Sequence, residues 1–542
     1  METPLFDVAI VGAGPTGTLL ANLLGQSGVS VALLDRDPAV SELPRAVHFD
    51  GECMRIFQNA GLADSIAQLA RIAPHGTRFM TPEGQTLLIR RGFEGNGLHG
   101  WAVNWFFHQP DLERVLRRGL VRFPNVTLKV SHNVTEIEIG PDNALLRGTD
   151  LVSGRPFNLR ARFVVAADGG RSLGRKALDC NMEDLGLHQP WLVVDVLVDP
   201  NSPRVQVMPQ YTIQMCDPQR PMTMIYVGGN RRRWEIMVMP GDDPARMTEP
   251  AFFWPLLSRW IGPKDATLER SALYTFHSLI AHGWRRGPLL LAGDACHMTP
   301  PFLGQGMCAG LRDAANLAWK LALVVKGRAD AALLDSYESE RLPHVTAFIE
   351  LAVRLGNIIQ TTDSAVAAER DRSFTSGNPE IFQFPDPALG PGVSDQASPF
   401  AGKLFPQPRL ADGTRLDDLC GGRFAVIGAP ALLDGVDAEA RAVWARLGTA
   451  VVADSSGEVA AALANFTALA VLLRPDGYIF GTARDAAQLS AITRRLTELL
   501  VSAPGACLTQ VEPPEKDQKT AALASAGAGA PANHPGTGSM LA

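Results

Sequence analysis

Gly12, Gly14 and Gly17 stand at G-x-G-x-x-G spacing inside Phe6-Asp-Val-Ala-Ile-Val-Gly-Ala-Gly-Pro-Thr-Gly-Thr-Leu-Leu-Ala21, and Asp35 follows them. Residues of these types at this spacing can hold a dinucleotide. One glycine makes a tight turn, the next lets a pyrophosphate approach the backbone, and the third lets a helix pack closely on a strand. The helix N-terminus behind them offers free N–H groups and the positive end of a dipole. An acid at the tip of the next strand accepts hydrogen bonds from a ribose. The elements that must position these groups are legible: an apolar strand Val8–Val11, a helix carrying Leu19, Leu20, Leu23 and Leu24, and a second apolar strand Val29–Leu34 that delivers Asp35. A bare glycine motif is a common turn; the ordered set of strand, glycines, helix, strand and acid is what separates this one. The motif alone does not distinguish NAD from FAD.

Two later stretches carry the same kind of chemistry. In Phe163-Val-Val-Ala-Ala-Asp-Gly-Gly-Arg-Ser-Leu-Gly-Arg175 a buried strand ends at Asp168, a ligand-facing position in an α/β sheet, although an ordinary Asp-Gly turn reads the same way. In Trp284–Lys320 the strand Leu289–Ala292 ends in Gly293-Asp294, Pro300 and Pro301 stiffen a loop, and Gly304 and Gly306 lead into a long helix. Asp294 can bind a polyol hydroxyl, and the glycines let backbone N–H groups approach an electron-rich ring. His297 invites a general-base reading, against the plainer one of a packing or hydrogen-bonding histidine. Arg45, in the Pro-containing loop Ser41–Asp50, is placed to reach phosphate or adenosine, or is a surface arginine. Gln109 lies at the edge of a helix begun by Pro110 and Asp111.

Around these stretches the chain has 542 residues, 46% hydrophobic and 20% charged, enough to bury a large core. A net charge of −6 argues against nucleic acid or an anionic membrane as the main partner. Seven cysteines, odd in number and never spaced C-x-x-C, fit a reducing compartment and support neither a disulfide framework nor a metal site. With no basic n-region, no signal-peptide core and no run of 18 apolar residues, the expected location is cytoplasmic, with no membrane span. From Pro190 to His282, Trp191–Val198, Arg204–Met215, Met222–Gly228 and Trp234–Met239 read as strands of an inserted antiparallel sheet. Met222, Met224 and Tyr226 share one face and Thr223, Ile225 and Val227 the other; alternation does not say which face meets a ligand. Arg231-Arg-Arg233, after Gly228-Gly-Asn230, reads as a solvated hairpin tip, with phosphate binding as the alternative.

These three motifs, in this order, resemble the FAD-binding set of class A flavoprotein aromatic hydroxylases, the para-hydroxybenzoate hydroxylase superfamily. Trp191-Leu-Val-Val-Asp195, Arg232-Arg-Trp-Glu235, Met237-Val-Met-Pro-Gly241 and Gly293-Asp-Ala295 through Leu317-Ala-Trp-Lys-Leu-Ala322 look like 3-(3-hydroxyphenyl)propionate hydroxylases within it. The resemblance implies that Gly12, Ala13, Gly14, Pro15, Thr16 and Gly17, with Asp35 and Arg36, hold the ADP part of FAD. It implies cofactor contacts from Arg45, Gln109 and Asp168, a ribityl contact from Gly293-Asp294, and an isoalloxazine lined by Pro301, Gly304, Gln305, Gly306, Met307 and Cys308. NADH or NADPH would be a transient co-substrate without its own domain, and O2 the oxidant, with a homodimer one expected assembly. The implied reaction is ring hydroxylation of a phenol through a flavin 4a-hydroperoxide. The substrate would be 3-(3-hydroxyphenyl)propionate or 3-hydroxycinnamate, or alternatively a resorcinol, nitrocatechol, hydroxybenzoate or polyketide. Such chemistry asks the protein to position a ring, exclude water and assist phenol deprotonation. The expected catalytic or substrate-facing positions are Pro301, His297, Tyr211 and Tyr226.

Further on, Phe405-Pro-Gln-Pro-Arg-Leu and Leu473-Arg-Pro-Asp-Gly-Tyr-Ile-Phe-Gly481 resemble the thioredoxin-like domain of larger family members. Phe424–Gly428, Ala450–Ala453 and Leu469–Leu473 read as strands and Ala486–Val501 as a helix, with no C-x-x-C for dithiol chemistry. The expected fold is a mixed α/β (α+β) chain. A Rossmann-like FAD-binding domain (1–189, returning at 284–361) carries the inserted antiparallel-sheet substrate domain (190–283). A Pro/Gly-rich linker (362–404), a thioredoxin-like domain (405–510) and a disordered tail (511–542) follow. A flavin halogenase or a reductase sharing the FAD fold is the rival enzyme class, but the halogenase W-x-W-x-I-P motif does not occur. A non-enzymatic flavin redox sensor is disfavoured by the Pro-rich loop and the inserted sheet.

Overall fold

The computed structural model describes residues 5–73, 75–90, 95–375, 380–382 and 386–501; the expected tail and Cys507 lie outside them. β1 (Leu5–Val11) runs through the middle of the first sheet. Its residues from Val8 onward are buried, which is why the run is continuously apolar rather than alternating. Parallel neighbours are β2 (Val31–Leu34) on one side and Pro156–Ala166 on the other; Val126–Lys129 and Leu289–Leu291 lie outside these. The strands that carry the three motifs are therefore adjacent, and their C-terminal ends open on one edge, at the point where the strand order reverses. α1 (Pro15–Gln26) packs against the long helix Gly306–Val325, closing the nucleotide turn against the far motif.

The second sheet has nine strands in the order 297–298, 266–281, 182–198, 231–237, 222–228, 212–215, 77–80, 86–90 and 380–382. It is wider than the expected insertion of residues 190–283. Thr77–Met80 pairs parallel with Thr212–Met215, and Thr86–Arg90 follows it. These strands are short, and their partner lies far along the chain, so nothing local marks them. Arg204–Met215 is not one strand: Pro203 starts a helical turn, Pro203–Gln206, and only Thr212–Met215 is extended. Arg231–Arg233 is not a solvated hairpin tip either. The turn closes at Gly228 and Gly229 (φ 140° and 53°), and Arg231–Met237 is a strand with Arg233 buried.

The stretch expected as a linker, 362–404, holds the helix Ser364–Thr375 and the strand Glu380–Phe382, which pairs with Thr86–Arg90. Beyond them the chain runs along the helix Ser336–Ile359, with Gly390 N donating to Glu340 O (2.9 Å) and Val393 N to Glu340 Oε1 (2.6 Å). The thioredoxin-like domain is a four-stranded sheet, 450–453, 425–428, 470–473 and 479–483, backed by Ala438–Leu447 and Ala486–Leu500. Cys420 ends a short helix before Gly421 and Gly422, and burial pushes its thiol up to about 12. Among the described residues one helical stretch, Ala331–Ile359, is long and apolar enough to cross a membrane by length and composition; half of its most apolar 18-residue window is buried in the protein, and the helix packs against Pro301–Leu303.

Candidate active site

The three glycines of the first motif divide their work as their surroundings dictate. Gly12 has φ 103°, and a Cβ there would lie 2.3 Å from Ala167 O. A Cβ on Gly17 would lie 2.0 Å from Gly12 O, so this is where helix meets strand. A Cβ on Gly14 would meet nothing within 4 Å. Gly14 therefore faces open space at the N-terminus of α1, a cradle that fits a pyrophosphate. Asp35 is tied to the same turn: Ala13 N donates to its Oδ2 at 2.6 Å and Asp37 N to its Oδ1 at 2.8 Å. Arg117, from the helix Gln109–Gly119, donates to Ala13 O at 3.3 Å and adds a cation beside the turn. Sequence reasoning missed it, because only the docking of that helix brings it there. Arg36 points to solvent beside Asp37.

Thr16 joins the first motif to the third. Cβ atoms on Gly293 and Gly310 would lie 2.8 Å and 2.3 Å from its Oγ1, so only glycines let the two segments meet. Asp294 is exposed, yet the protein packed around it raises its carboxyl above the usual range by desolvation. That is the environment of a ligand-facing acid. Asp168 uses Oδ2 to cap the helix Leu173–Leu178, accepting from Leu173 N at 2.6 Å, and leaves a buried Oδ1 without a protein partner. Gln109 does not reach out to the cleft. Its Oε1 accepts from Arg45 N (2.8 Å) and Ala46 N (2.6 Å), so it holds the loop that carries the exposed Arg45.

The loop Pro301–Leu303 is anchored from below and open above. Phe302 and Leu303 are buried, while Pro301, Gly304, Gly306 and Met307 are partly exposed. Gln214 Nε2 donates to Phe302 O (3.0 Å) and Arg90 to Leu303 O (2.9 Å). Gly304 turns at φ 69°, and a Cβ there would lie 3.1 Å from His48 Nδ1. His48 itself bridges Gly304 O and Asn104 Oδ1, and burial holds its ring near pKa 4, hence neutral. Gln305 Oε1 accepts from Arg312 (3.0 Å), and Cys308 is buried against His48 O. His48, Asn104 and Arg312 were not legible in the sequence as parts of this loop's support.

Two expectations need correction. His297 is fully buried, with Nε2 2.7 Å from Asp313 Oδ2, and Asp313 also accepts from Arg341 (2.9 Å) and Gly293 N (3.0 Å). Burial alone would raise the Asp313 carboxyl, but His297 and Arg341 hold it at about 2. His297 is thus a core hydrogen-bonding residue, out of reach of a substrate proton. Tyr211 and Tyr226 lie on the wrong face of the second sheet. Phe79, Trp191, Cys216 and Met237 pack with Phe302, whereas Met222, Met224, Trp234 and Ile236 pack away from it with Tyr211. Tyr226 shares the latter face, stacked between Arg71 and Arg232 at 3.8 Å from each. The tyrosine on the loop-facing side is Tyr274, paired across strands with Trp191.

On that side lies a charged latch. Arg233 donates to both oxygens of Asp195 (2.7 and 3.0 Å), to Pro44 O (2.7 Å) and to Arg45 O (2.8 Å), and Arg270 donates to Pro44 O (3.0 Å). The second sheet thereby fixes the loop carrying Arg45.

A family model described as an FAD binding domain matches residues 6–352, and one described as the HcaD C-terminal domain matches residues 402–499. The chain is 35% identical over 516 residues to a probable NADH-specific resorcinol 4-hydroxylase of Rhodococcus jostii (strain RHA1), covering 92% of this chain and 96% of that protein. It is 37% identical over 467 residues to a 3-(3-hydroxy-phenyl)propionate/3-hydroxycinnamic acid hydroxylase of Burkholderia cenocepacia (strain HI2424), covering 82% and 83%. In fold it is similar to aklavinone-11 hydroxylase, solved with FAD and aklavinone (TM-score 0.73, 24% identity, 92% of this chain and 100% of that one). The chain belongs to the FAD-binding flavoprotein hydroxylases of the para-hydroxybenzoate hydroxylase type, and it is an FAD- and NAD(P)H-dependent aromatic monooxygenase.

Proposed function

We propose that this monooxygenase hydroxylates the ring of a small phenol held between Pro301–Leu303 and the Trp191/Tyr274 face of the second sheet. The net reaction consumes one O2 and one NAD(P)H with a proton: one oxygen atom enters a ring C–H bond, the other leaves as water, and NAD(P)+ is released. The observation that carries the reading is the loop itself. Pro301 and Gly304 are partly exposed, while Phe302 between them is buried and packs against Trp191 and Phe276, with ring centroids at 5.6 and 6.2 Å.

When bound, FAD would pass the electrons of NAD(P)H to O2 and supply the oxygen-activating ring. This chain's residues do the rest. The Gly12–Gly17 turn, Asp35 and Asp294 would hold the cofactor's diphosphate, ribose and ribityl ends, and Pro301 to Met307 would face its ring. The buried aromatic side chains around Phe302 exclude water, which favours ring attack over loss of the oxidant as peroxide. The chemistry needs positioning more than a protein nucleophile.

The substrate readings are a resorcinol-type phenol or 3-(3-hydroxyphenyl)propionate and 3-hydroxycinnamate, the compounds in the names of the relatives, with NADH as donor. A cytoplasmic enzyme is supported by six described cysteines that are all unpaired; a homodimer remains the expected assembly, to be read by light scattering. The test is phenol-stimulated NADH oxidation scored for hydroxylated product. Purified FAD-loaded protein that oxidises NADH without ever forming a hydroxylated ring would sink the reading.

A further inference from the structure

The loop-facing side of the second sheet carries buried polar atoms that no protein group satisfies. Gln214 and Thr223 sit directly opposite each other on adjacent antiparallel strands, and Glu235 is next in the same row. Gln214 Oε1 and Thr223 Oγ1 are buried without partners, although Gln214 Nε2 already grips Phe302 O at 3.0 Å. One strand-row away, Trp191 Nε1 is likewise a buried donor without a partner, with its ring against Phe302. Buried polar groups are nearly always satisfied, and Thr212 Oγ1 on the same face lacks a partner too, so this cluster beside the Pro301–Leu303 loop marks where a ligand's hydroxyls belong. Side chains directly opposite on antiparallel strands stand about 4.5–5.5 Å apart at Cβ, the scale of a single ring.

What this face withholds is equally informative. Its described arginines are committed: Arg233 and Arg270 to Asp195 and to the carbonyls of Pro44 and Arg45, and Arg90 to Leu303 O. Glu235 adds a carboxyl, which burial pushes up from its usual range. A carboxylate brought against this row would meet an acid and no uncommitted cation, and burying such a charge is costly.

We infer that Gln214 and Thr223, with Trp191 Nε1, form the subsite for the ring hydroxyls of an uncharged substrate, a mono- or dihydroxybenzene of the resorcinol kind, and that carboxylated phenols are poor substrates. The inference rests on the hydroxylase reading above.

The experiment compares kcat/KM for hydroxylated product on the FAD-loaded full chain with phenol, resorcinol, 3-(3-hydroxyphenyl)propionate and 3-hydroxybenzoate. Resorcinol or phenol should exceed both acids by at least about tenfold, the scale of one satisfied buried hydrogen bond. Gln214→Leu and Thr223→Val should each shrink that ratio by about tenfold, and Thr223→Ser should restore it. Equal or better coupled turnover of an acid overturns the subsite, as does a ratio unmoved in Gln214→Leu and Thr223→Val with full flavin content. If a variant does not fold, Thr223→Ser and the wild-type ratio still decide. A chain that yields no hydroxylated product from any of the four compounds overturns the hydroxylase reading and the subsite together.

Discussion

Tyr478 of the thioredoxin-like domain donates its phenol hydrogen to Glu52 Oε1 at 2.8 Å, joining residues 426 positions apart. Glu52 is also bound by the guanidinium of Arg312, which holds Asp50 (2.6 Å) and Gln305 of the flavin loop (3.0 Å). The C-terminal domain is therefore wired to the residue that supports the loop at Pro301–Gly306, and its buried contacts do not stop there: Arg474 pairs with Glu340 (2.8 Å) and Arg55 with Asp417 (2.7 Å).

Tyr478→Phe removes a hydrogen bond to a charged acceptor and leaves the carboxylate short of a donor. The expected cost is about 1.5–3 kcal/mol. Heating the holoprotein should release flavin earlier than in wild type, measured by the rise in flavin fluorescence alongside circular dichroism. An unchanged release curve would show that the contact contributes nothing.

Gly14→Ala and Gly17→Ala should part company. The first meets no protein atom within 4 Å and the second strikes Gly12 O at 2.0 Å. We expect Gly14→Ala to fold with near-normal apoprotein stability but to bind FAD at least about tenfold more weakly, and Gly17→Ala to lose stability outright. Titration of apoprotein with FAD separates the two; wild-type affinity in Gly14→Ala would mean that no phosphate approaches there.

Arg233→Lys should loosen the loop that carries Arg45. Lysine cannot reproduce a fork that meets two carboxylate oxygens and two carbonyls at once. The expected result is FAD affinity weakened by about tenfold with the fold retained, and faster proteolysis within Ser41–Arg45. Protection equal to wild type would refute the latch.

Acid should attack the core ion pairs. Asp313 and Glu340, each held at about 2 against an ordinary carboxylate value of 3.8 or 4.5, bind protons more weakly when folded than when unfolded. Their stabilisation is thus complete above about pH 4.5 and lost as pH falls toward 2. Urea midpoints between pH 5 and 3 should fall, and less steeply in Asp313→Asn. The same series tests His297: His297→Gln should lower stability while the pH profile of turnover keeps its shape. A lost limb in that profile would restore the general-base reading.

The nucleotide end was legible because its determinants are local. Gly12, Gly14, Gly17 and the apolar strands around them lie within one supersecondary unit, where each residue's task follows from turn geometry and strand burial. The turn at Pro301–Gly306 was legible for the same reason, as Pro301, Gly304 and Gly306 are closely spaced constraints on one backbone. The supporting cast was not. Arg117, His48, Arg312 and Arg233 are single polar residues whose partners come from segments far along the chain, and no spacing rule marks them. The strands Thr77–Met80 and Thr86–Arg90 were missed because a short strand is defined by what it pairs with.

Tyr211 and Tyr226 show the limit most clearly. Alternation along Met222–Val227 divides the residues into two faces correctly, since a strand's period of two is a backbone property. Which face meets the flavin loop is a matter of how one sheet docks on another, set by Phe302 seated on Trp191 and by helices covering the opposite side. Likewise Gly293-Asp-Ala-Cys-His297 reads as one motif in the chain, yet folding leaves Asp294 exposed and turns His297 into the core against Asp313, because neighbouring residues in a tight turn point in different directions. The sequence by itself determined the cofactor, the order of the elements and the local geometry of the glycine turns. The tertiary structure alone decided which side chains face the Pro301–Leu303 loop, since that depends on long-range docking rather than on the chain's local conformation.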